Sequence, residues 1–439
     1  MNTDKHRYFQ DSLRKQHMQK VFCSKHFLIC VYLYSSVVNC LGIPSTLHAQ
    51  TLNFPATRTD AQYVIQTNLQ TPLNLQSLCF SPDGQTLYVG GYKEVLVWSL
   101  SDAKLVTRIT DDQLTSIITA MLIIDDGKTL AVSGTDVTSE NHQISQSPTS
   151  PILLFDTATH KKIATLDQPG DSVTCMAINP DGSQLAVGTY DGMLSVWDTQ
   201  QRTILKSFLQ QNSCITDIVY SPDQVWLAVS NLSGQVEVFE TTPQFPSLIR
   251  KSFDDSVRAL CFDQSKHLNL AIAIGGKNEI SVRLLNEKNA KRLRKFSGTP
   301  SIPLDICWAE KNKTAYLAGS NHTIVSWKKL GKIDKTFKAH SNWVTAIALS
   351  PDEKRIASVS LDGTTRLWDA KQGLLLATLL QLKPQTDTWL FISSLGTFNA
   401  SSSDVVHFFK QPKETQSSLR KQWLNPKSVC QHLGFTAKP

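Results

Sequence analysis

The stretch Ile356-Ala-Ser-Val-Ser-Leu-Asp-Gly-Thr-Thr-Arg-Leu-Trp-Asp369 reads as two short apolar strands joined by a tight Asp-Gly loop and closed by an aromatic residue. Leu185-Ala-Val-Gly-Thr-Tyr-Asp-Gly-Met-Leu-Ser-Val-Trp-Asp198 keeps the same order. Each is preceded by a turn string, and such strings recur: Ser81-Pro82-Asp83-Gly84, Asp125-Asp126-Gly127, Asn179-Pro180-Asp181-Gly182, Ser221-Pro222-Asp223 and Ser350-Pro351-Asp352. Degenerate copies at Asp263 to Lys266 and Ala309 to Asn312 complete the series. Proline presets the turn backbone and aspartate bonds back to it, so each string marks a hairpin. Repetition at about 40 to 45 residues, with several strands per unit, points to a β-propeller.

In each unit a later strand ends on a large apolar residue: Trp98, Phe155, Trp197, Phe239, Leu284, Trp327 and Trp368. A four-stranded blade cannot bury both faces alone, so blades pack around an axis until the ring closes. From Thr67 to Leu380 the chain resembles the WD-repeat (tryptophan-aspartate repeat) β-propeller family, and it is similar to the bacterial exported type. Ser99, Glu240 and Lys328 depart from the family's terminal Asp while the period persists. The resemblance implies an all-β fold, a seven-bladed β-propeller of four-stranded antiparallel blades over 50–380. Tyr63 to Thr67 is expected to supply the outer strand of the last blade. Residues 381–410 read as a degenerate repeat, an eighth unit or a closing segment, and 411–439 as a basic tail.

At the N-terminus, Arg14, Lys15, Lys20 and Lys25 precede an uncharged run from Phe27 to Ile43, then Pro44 and Leu47-His48-Ala49. Charge, apolar run and small residue in that order describe a secretory signal peptide over 1–49, cleaved after Ala49, with Met18 an alternative start. The expected location is periplasmic or secreted. An uncleaved membrane anchor is the alternative, against which stand Ser35, Ser36 and Asn39 in the apolar run.

The net charge is +7, of which the leader holds six Lys/Arg against two Asp/Glu, so little remains for a field attracting nucleic acid. Basic residues cluster instead at Lys288 to Lys295 and Lys328 to Lys338. Cys79, Cys175, Cys214, Cys261, Cys307 and Cys430 lie beyond the leader. Cys79, Cys261 and Cys307 share one place in their blades, too far apart for bridging, which leaves Cys214 and Cys430 open to a disulfide.

One unit carries the whole structural tetrad that the resemblance implies: His340, Ser358, Asp362 and Trp368. Alone, Ser, His and Asp suggest a hydrolase; here they are expected to form a buried hydrogen-bond chain ending on the indole. Two residues after the start of each inner strand stand Ser77, Ala120, Cys175, Asp217, Ala259, Asp305 and Ala346. Asp217 and Asp305 would face the axis, engaged in local hydrogen bonds or holding a divalent cation. Blade two carries an insertion, Thr138 to Ser150, toward the rim where family members take peptides. That rim would present Tyr92, Tyr190, Arg258, Lys277 and Trp343, aromatic and cationic anchors of the kind protein interfaces use.

The reading is an exported, non-enzymatic scaffold for a protein or peptide partner, without cofactor, metal or nucleic acid, and with no stable membrane span once the leader is removed. Two alternatives stay open: a propeller enzyme of metal-dependent hydrolase or lactonase type, and a translocated effector mimicking eukaryotic WD-repeat proteins. Oligomeric state is open as well.

Overall fold

The computed structural model describes residues 48–53, 64–69 and 75–435, apart from 116, 135–148, 210–212, 264–268, 278, 287–293, 296–298, 300, 329–331 and 403–423. The chain divides into two compact units, residues 1–48 and 49–439. Residues 1–47 of the leader, most of the blade-two insertion, Lys288, Lys291, Arg292, Lys329 and the first part of the basic tail lie outside the described residues.

Seven antiparallel meanders follow one another along the chain, each running from inner to outer strand in sequence order. They occupy residues 77–109, 118–169, 173–209, 215–252, 257–295, 303–338 and 344–381, blades one to seven. Inner strands of successive blades pack side by side, and that of blade seven, Val344–Leu349, packs against that of blade one, Ser77–Phe80, closing the ring.

Local chemistry fixes each hairpin. Ser81 Oγ donates to Asp83 Oδ1 (2.5 Å) and accepts from Thr86 N (2.9 Å), while Gln85 N donates to Asp83 Oδ1 (2.9 Å). The same set recurs at Ser221 with Asp223 and at Ser350 with Asp352. The residue after the Asp must adopt positive φ; Gly84 does so at 66° without cost, whereas Gln224 (63°) and Glu353 (60°) carry a Cβ into that region.

Burial explains why the middle strands are continuously apolar. Val95–Ser99 is buried at every position because both faces of its blade are covered, whereas the outer strand Ser247–Ser252 alternates exposed and half-buried residues. The buried apolar residues form seven clusters, one per seam, each drawing on two adjacent blades.

Closure differs from the expectation. The strand Val64–Leu69 pairs with His48–Asn53 and does not complete the last blade. The edge it would have used is occupied: beyond the outer strand Leu375–Gln381 of blade seven, Trp389–Ser393 and Phe398–Ala400 continue the same sheet to six strands. These two strands lean across onto blade one. Trp98 makes edge-on ring contacts at 6.0 Å with Trp389 and with Phe391, and Asn399 Nδ2 donates to Ala103 O (3.0 Å). Fully buried Glu94 of blade one accepts from Arg108 (2.9 Å), from Gln381 Nε2 (3.0 Å) and from Gln385 N (2.8 Å). The helix Pro426–His432, capped by Asn425, adds Val429, Cys430 and Leu433 to the same cluster, and Arg355 lies over the Phe435 ring. The C-terminal extension thus clamps blade seven to blade one.

Candidate protein-binding site at the channel mouth

The inner strands build the channel from one register. Their first position is apolar: Leu75, Ile118, Val173, Ile215, Val257, Pro303 and Val344. From blade two onward, pairing with the second strand then skips a residue, a β-bulge that turns this second position toward the axis. Gln76, Thr119, Thr174, Thr216, Arg258, Leu304 and Thr345 occupy it and line a central cavity of about 220 Å³. The third position holds the small or acidic residues read from the sequence.

Hydroxyls at the second position tie blade to blade. Thr119 Oγ1 donates to Val173 O (2.7 Å), Thr174 to Ile215 O (2.6 Å), Thr216 to Val257 O (2.7 Å) and Thr345, across the ring closure, to Leu75 O (2.6 Å). Ser77 does the same from the third position to Ile118 O (2.9 Å). The two aspartates use the opposite polarity. Asp217 accepts from Ile218 N (2.8 Å) and from Leu260 N of blade five (2.7 Å); Asp305 accepts from Ile306 N (2.7 Å) and from Ile347 N of blade seven (2.7 Å). Each carboxylate therefore bridges a seam. Burial, opposed by those N–H donors, pushes Asp217 up to about 8 and Asp305 up to about 7. Burial also pushes the thiols of Cys175, Cys261 and Cys307 up, and no disulfide joins any two of the six described cysteines, Cys214 and Cys430 included.

The tetrad residues come together in blade seven. Trp368 Nε1 donates to Ser358 Oγ (2.8 Å); His340 Nε2 lies 2.8 Å from that oxygen and its Nδ1 2.9 Å from Asp362 Oδ2. Since indole only donates, the serine proton is free for His340 Nε2, and the neutral imidazole carries its proton on Nδ1 toward Asp362. Burial lowers the His340 pKa, in keeping with that neutral ring. Burial opposes ionisation of Asp362, but His340, Arg366 and the Thr364 hydroxyl outweigh it and hold the carboxyl below its usual range. The serine oxygen is enclosed and already bonded twice, which suits a structural strut and not a nucleophile. Blade three replaces the strut with Gln168, reaching from the outer strand of blade two to accept from Trp197 Nε1 (2.8 Å). In blade one, Val89 stands where Ser358 stands in blade seven, and Trp98 Nε1 is buried without an acceptor.

Of the rim residues, Tyr92, Tyr190 and Lys277 lie in the loops joining second to third strands of blades one, three and five, and Trp343 just precedes the inner strand of blade seven. In an antiparallel meander those loops share one face, the face where the inner strands begin. Tyr92 and Lys277 are exposed; Tyr190 and Trp343 are half-buried. Arg258 is not on the rim. The bulge turns it inward, and the structure places it in the channel lining with Nε directed at Gly275 O (3.4 Å). The recurring Thr just ahead of the small position was the sequence signal for the blade-to-blade ties, visible only once the inner strands were aligned. The insertion itself is described only at Thr149 and Ser150, which open the third strand of blade two.

A family model described as the IFT122 first beta-propeller matches residues 74–369, about two thirds of the chain. The chain belongs to that family of WD-repeat propellers. Three curated relatives, all eukaryotic, match part of the chain. The nuclear distribution protein nudF of Aspergillus niger is 28% identical over 116 residues, 26% of each chain. Periodic tryptophan protein 2 of Arabidopsis thaliana is 23% identical over 252 residues, covering 52% of this chain and 25% of that protein. The target of rapamycin complex subunit wat1 of Schizosaccharomyces pombe is 21% identical over 230 residues, 50% of this chain and 58% of wat1. The chain thus spans a quarter to somewhat over half the length of these relatives. Among solved structures, a chain of the crystal structure of the mitotic checkpoint complex superposes with a TM-score of 0.59 at 17% identity, over 74% of this chain and 98% of that one. This likeness concerns the fold.

Proposed function

We propose that this propeller is a non-enzymatic scaffold that holds a protein or peptide partner over the channel mouth. The observation that carries the reading is geometric: Tyr92, Tyr190, Lys277 and Trp343, from four different blades, sit in loops on the one face where the central cavity opens. A ring tied at its seams offers such loops preformed, so little ordering cost opposes binding. Support comes also from relatives whose names and titles place them in assemblies, the wat1 subunit and the mitotic checkpoint structure. Against a metal-dependent enzyme stands the engagement of both oxygens of Asp217 and of Asp305 by backbone N–H groups. Stoichiometric calcium or zinc in purified protein, lost in Asp217→Ala, is the result that would revive the enzyme.

The test is crosslinking with mass spectrometry in intact cells, comparing the wild type with a Tyr190→Ala, Trp343→Ala double variant. Loss of the major crosslinked partner is expected; an unchanged partner list refutes the rim. For location, we propose export by the leader 1–49, supported by its order of charge, apolar run and small residues. The bacterial source attached to that reading draws no support from the eukaryotic relatives. Alkaline phosphatase fused after Ala49 should be active outside the cytoplasm, and an inactive fusion would count against export.

A further inference from the structure

Most donors at the channel mouth are already committed. The hydroxyls of Thr119, Thr174, Thr216 and Thr345 each donate to a neighbouring blade's carbonyl, and Leu304 has none to offer. Gln76 and Arg258 remain. The Gln76 carboxamide makes no hydrogen bond among the described residues, and Arg258 makes only the long one to Gly275 O. The arginine is anomalous for this protein. Among the described residues, every other arginine that is buried or half-buried has a carboxylate within reach: Arg108 with Glu94, Arg283 with Glu279, Arg355 with Asp352, Arg366 with Asp362. Arg258 has none, although a guanidinium in a confined site is strongly favoured by a bidentate carboxylate.

We propose that Arg258, with Gln76 across the channel, receives the carboxylate of an aspartate or glutamate side chain that a protein partner inserts into the mouth. This rests on the reading of the rim as the binding face and adds the chemistry of the inserted group. The cavity of about 220 Å³ admits one such side chain. The other titratable groups facing it are Asp217, Asp305 and Cys175, with Cys261 and Cys307 behind them. In mildly acid solution all of these are neutral; as Asp305 and then Asp217 ionise through about 7 and about 8, negative charge gathers on the channel wall and opposes an incoming carboxylate.

The experiment is fluorescence anisotropy with the full chain and a fluorescein-labelled octaglutamate peptide, with labelled octaglutamine as the neutral probe. Octaglutamate should bind more tightly than octaglutamine and more tightly at pH 6 than at pH 9. Arg258→Gln should weaken it at least about tenfold, the scale of a hydrogen bond to a charged group, and Arg258→Lys by less. Lys206→Gln, an exposed charge on the outer strand of blade three and away from both rim and channel, should change it less than about twofold. Because Arg258 makes one long bond in the folded protein, its variants should keep the wild-type denaturation midpoint. Equal binding of octaglutamate by Arg258→Gln, equal binding of octaglutamine by the wild type, or displacement by inorganic phosphate at lower concentration than by free glutamate would each overturn the carboxylate assignment. If octaglutamate fails to bind while crosslinked partners still depend on Tyr190 and Trp343, the Arg258 inference falls and the rim reading stands.

Discussion

Replacing Phe391 by Ala tests whether the C-terminal extension holds the ring shut. Phe391 is fully buried, its ring 6.0 Å from that of Trp98, in a cluster that joins Leu87, Val89 and Leu96 of blade one to Ala357, Val359 and Leu367 of blade seven. Truncating such a side chain costs about 3 to 5 kcal/mol through lost transfer energy and the cavity left behind, a total that includes the roughly 0.5 to 1.5 kcal/mol of the edge-on ring pair. Stabilities of whole domains are only about 5 to 15 kcal/mol, so the loss is a large share of what is available. A comparable loss would follow from Phe262→Ala in blade five, where the ring is buried in the seam of blades four and five. What separates the two is location. If the extension is the clamp, Phe391→Ala should accelerate amide exchange first in Lys104–Ile109 and Leu375–Gln381, the outer strands on either side of the closing seam, while blades three and four keep their protection. Denaturant titration gives the energy and hydrogen exchange with mass spectrometry the location. A loss below about 1 kcal/mol, or exchange that rises first in blades three to five, would refute the role assigned to residues 389–400 and 426–435.

Further outcomes can be checked on the same footing. Ser358→Ala strands the Trp368 donor and the His340 ring nitrogen together, at about 1 to 3 kcal/mol each, so a denaturation midpoint shift worth roughly 2 to 5 kcal/mol is expected; a combined Ser358→Ala, Trp368→Phe variant should lose less than the two singles summed. Gln224→Gly removes a Cβ from positive φ and should stabilise by about 0.5 to 1 kcal/mol, read as a rise in midpoint at unchanged slope. On pH, the folded His340 lies below its ordinary 6.5, so the unfolded chain binds the proton first and stability falls as pH drops below about 6.5, with a further fall once the unfolded counterpart of Asp362 protonates near 4. Asp217 and Asp305 have the opposite sign. Their folded values are raised, the native state holds the extra protons, and stability falls as pH rises from about 4 through about 8. Denaturation midpoints should therefore be higher at pH 6 than at pH 9, and a double Asp217→Asn, Asp305→Asn variant should flatten that difference.

What the sequence disclosed and what it withheld divide along one physical line. Turn strings, strand runs and the tetrad spacing are encoded within a few residues of one another, so Ser81-Pro82-Asp83-Gly84 and the Ser358, Asp362, Trp368 series could be read without coordinates. The blade count followed because each turn marks one hairpin. Features that join one blade to the next are encoded across 40 residues or more, and there local reading failed. Arg258 stands beside the loop that enters its inner strand, which points to the rim; the bulge between Val257 and Ala259 shifts the parity, and a one-residue shift in a strand sends the side chain to the other face. Tyr63 to Thr67 precedes the first turn by enough to supply an outer strand to the last blade, yet that blade is complete and it is the surplus beyond it that spans the seam. The same reasoning accounts for Trp98. A valine at position 89 removes its acceptor, as the sequence could show, but only the fold shows that the apolar edges of Trp389 and Phe391 cover that ring from the other side. The blade whose tryptophan has no acceptor among the described residues is therefore the one the extension grips, which makes Trp389, Phe391 and the helix Pro426–His432 part of the propeller's core and not an appendage to it.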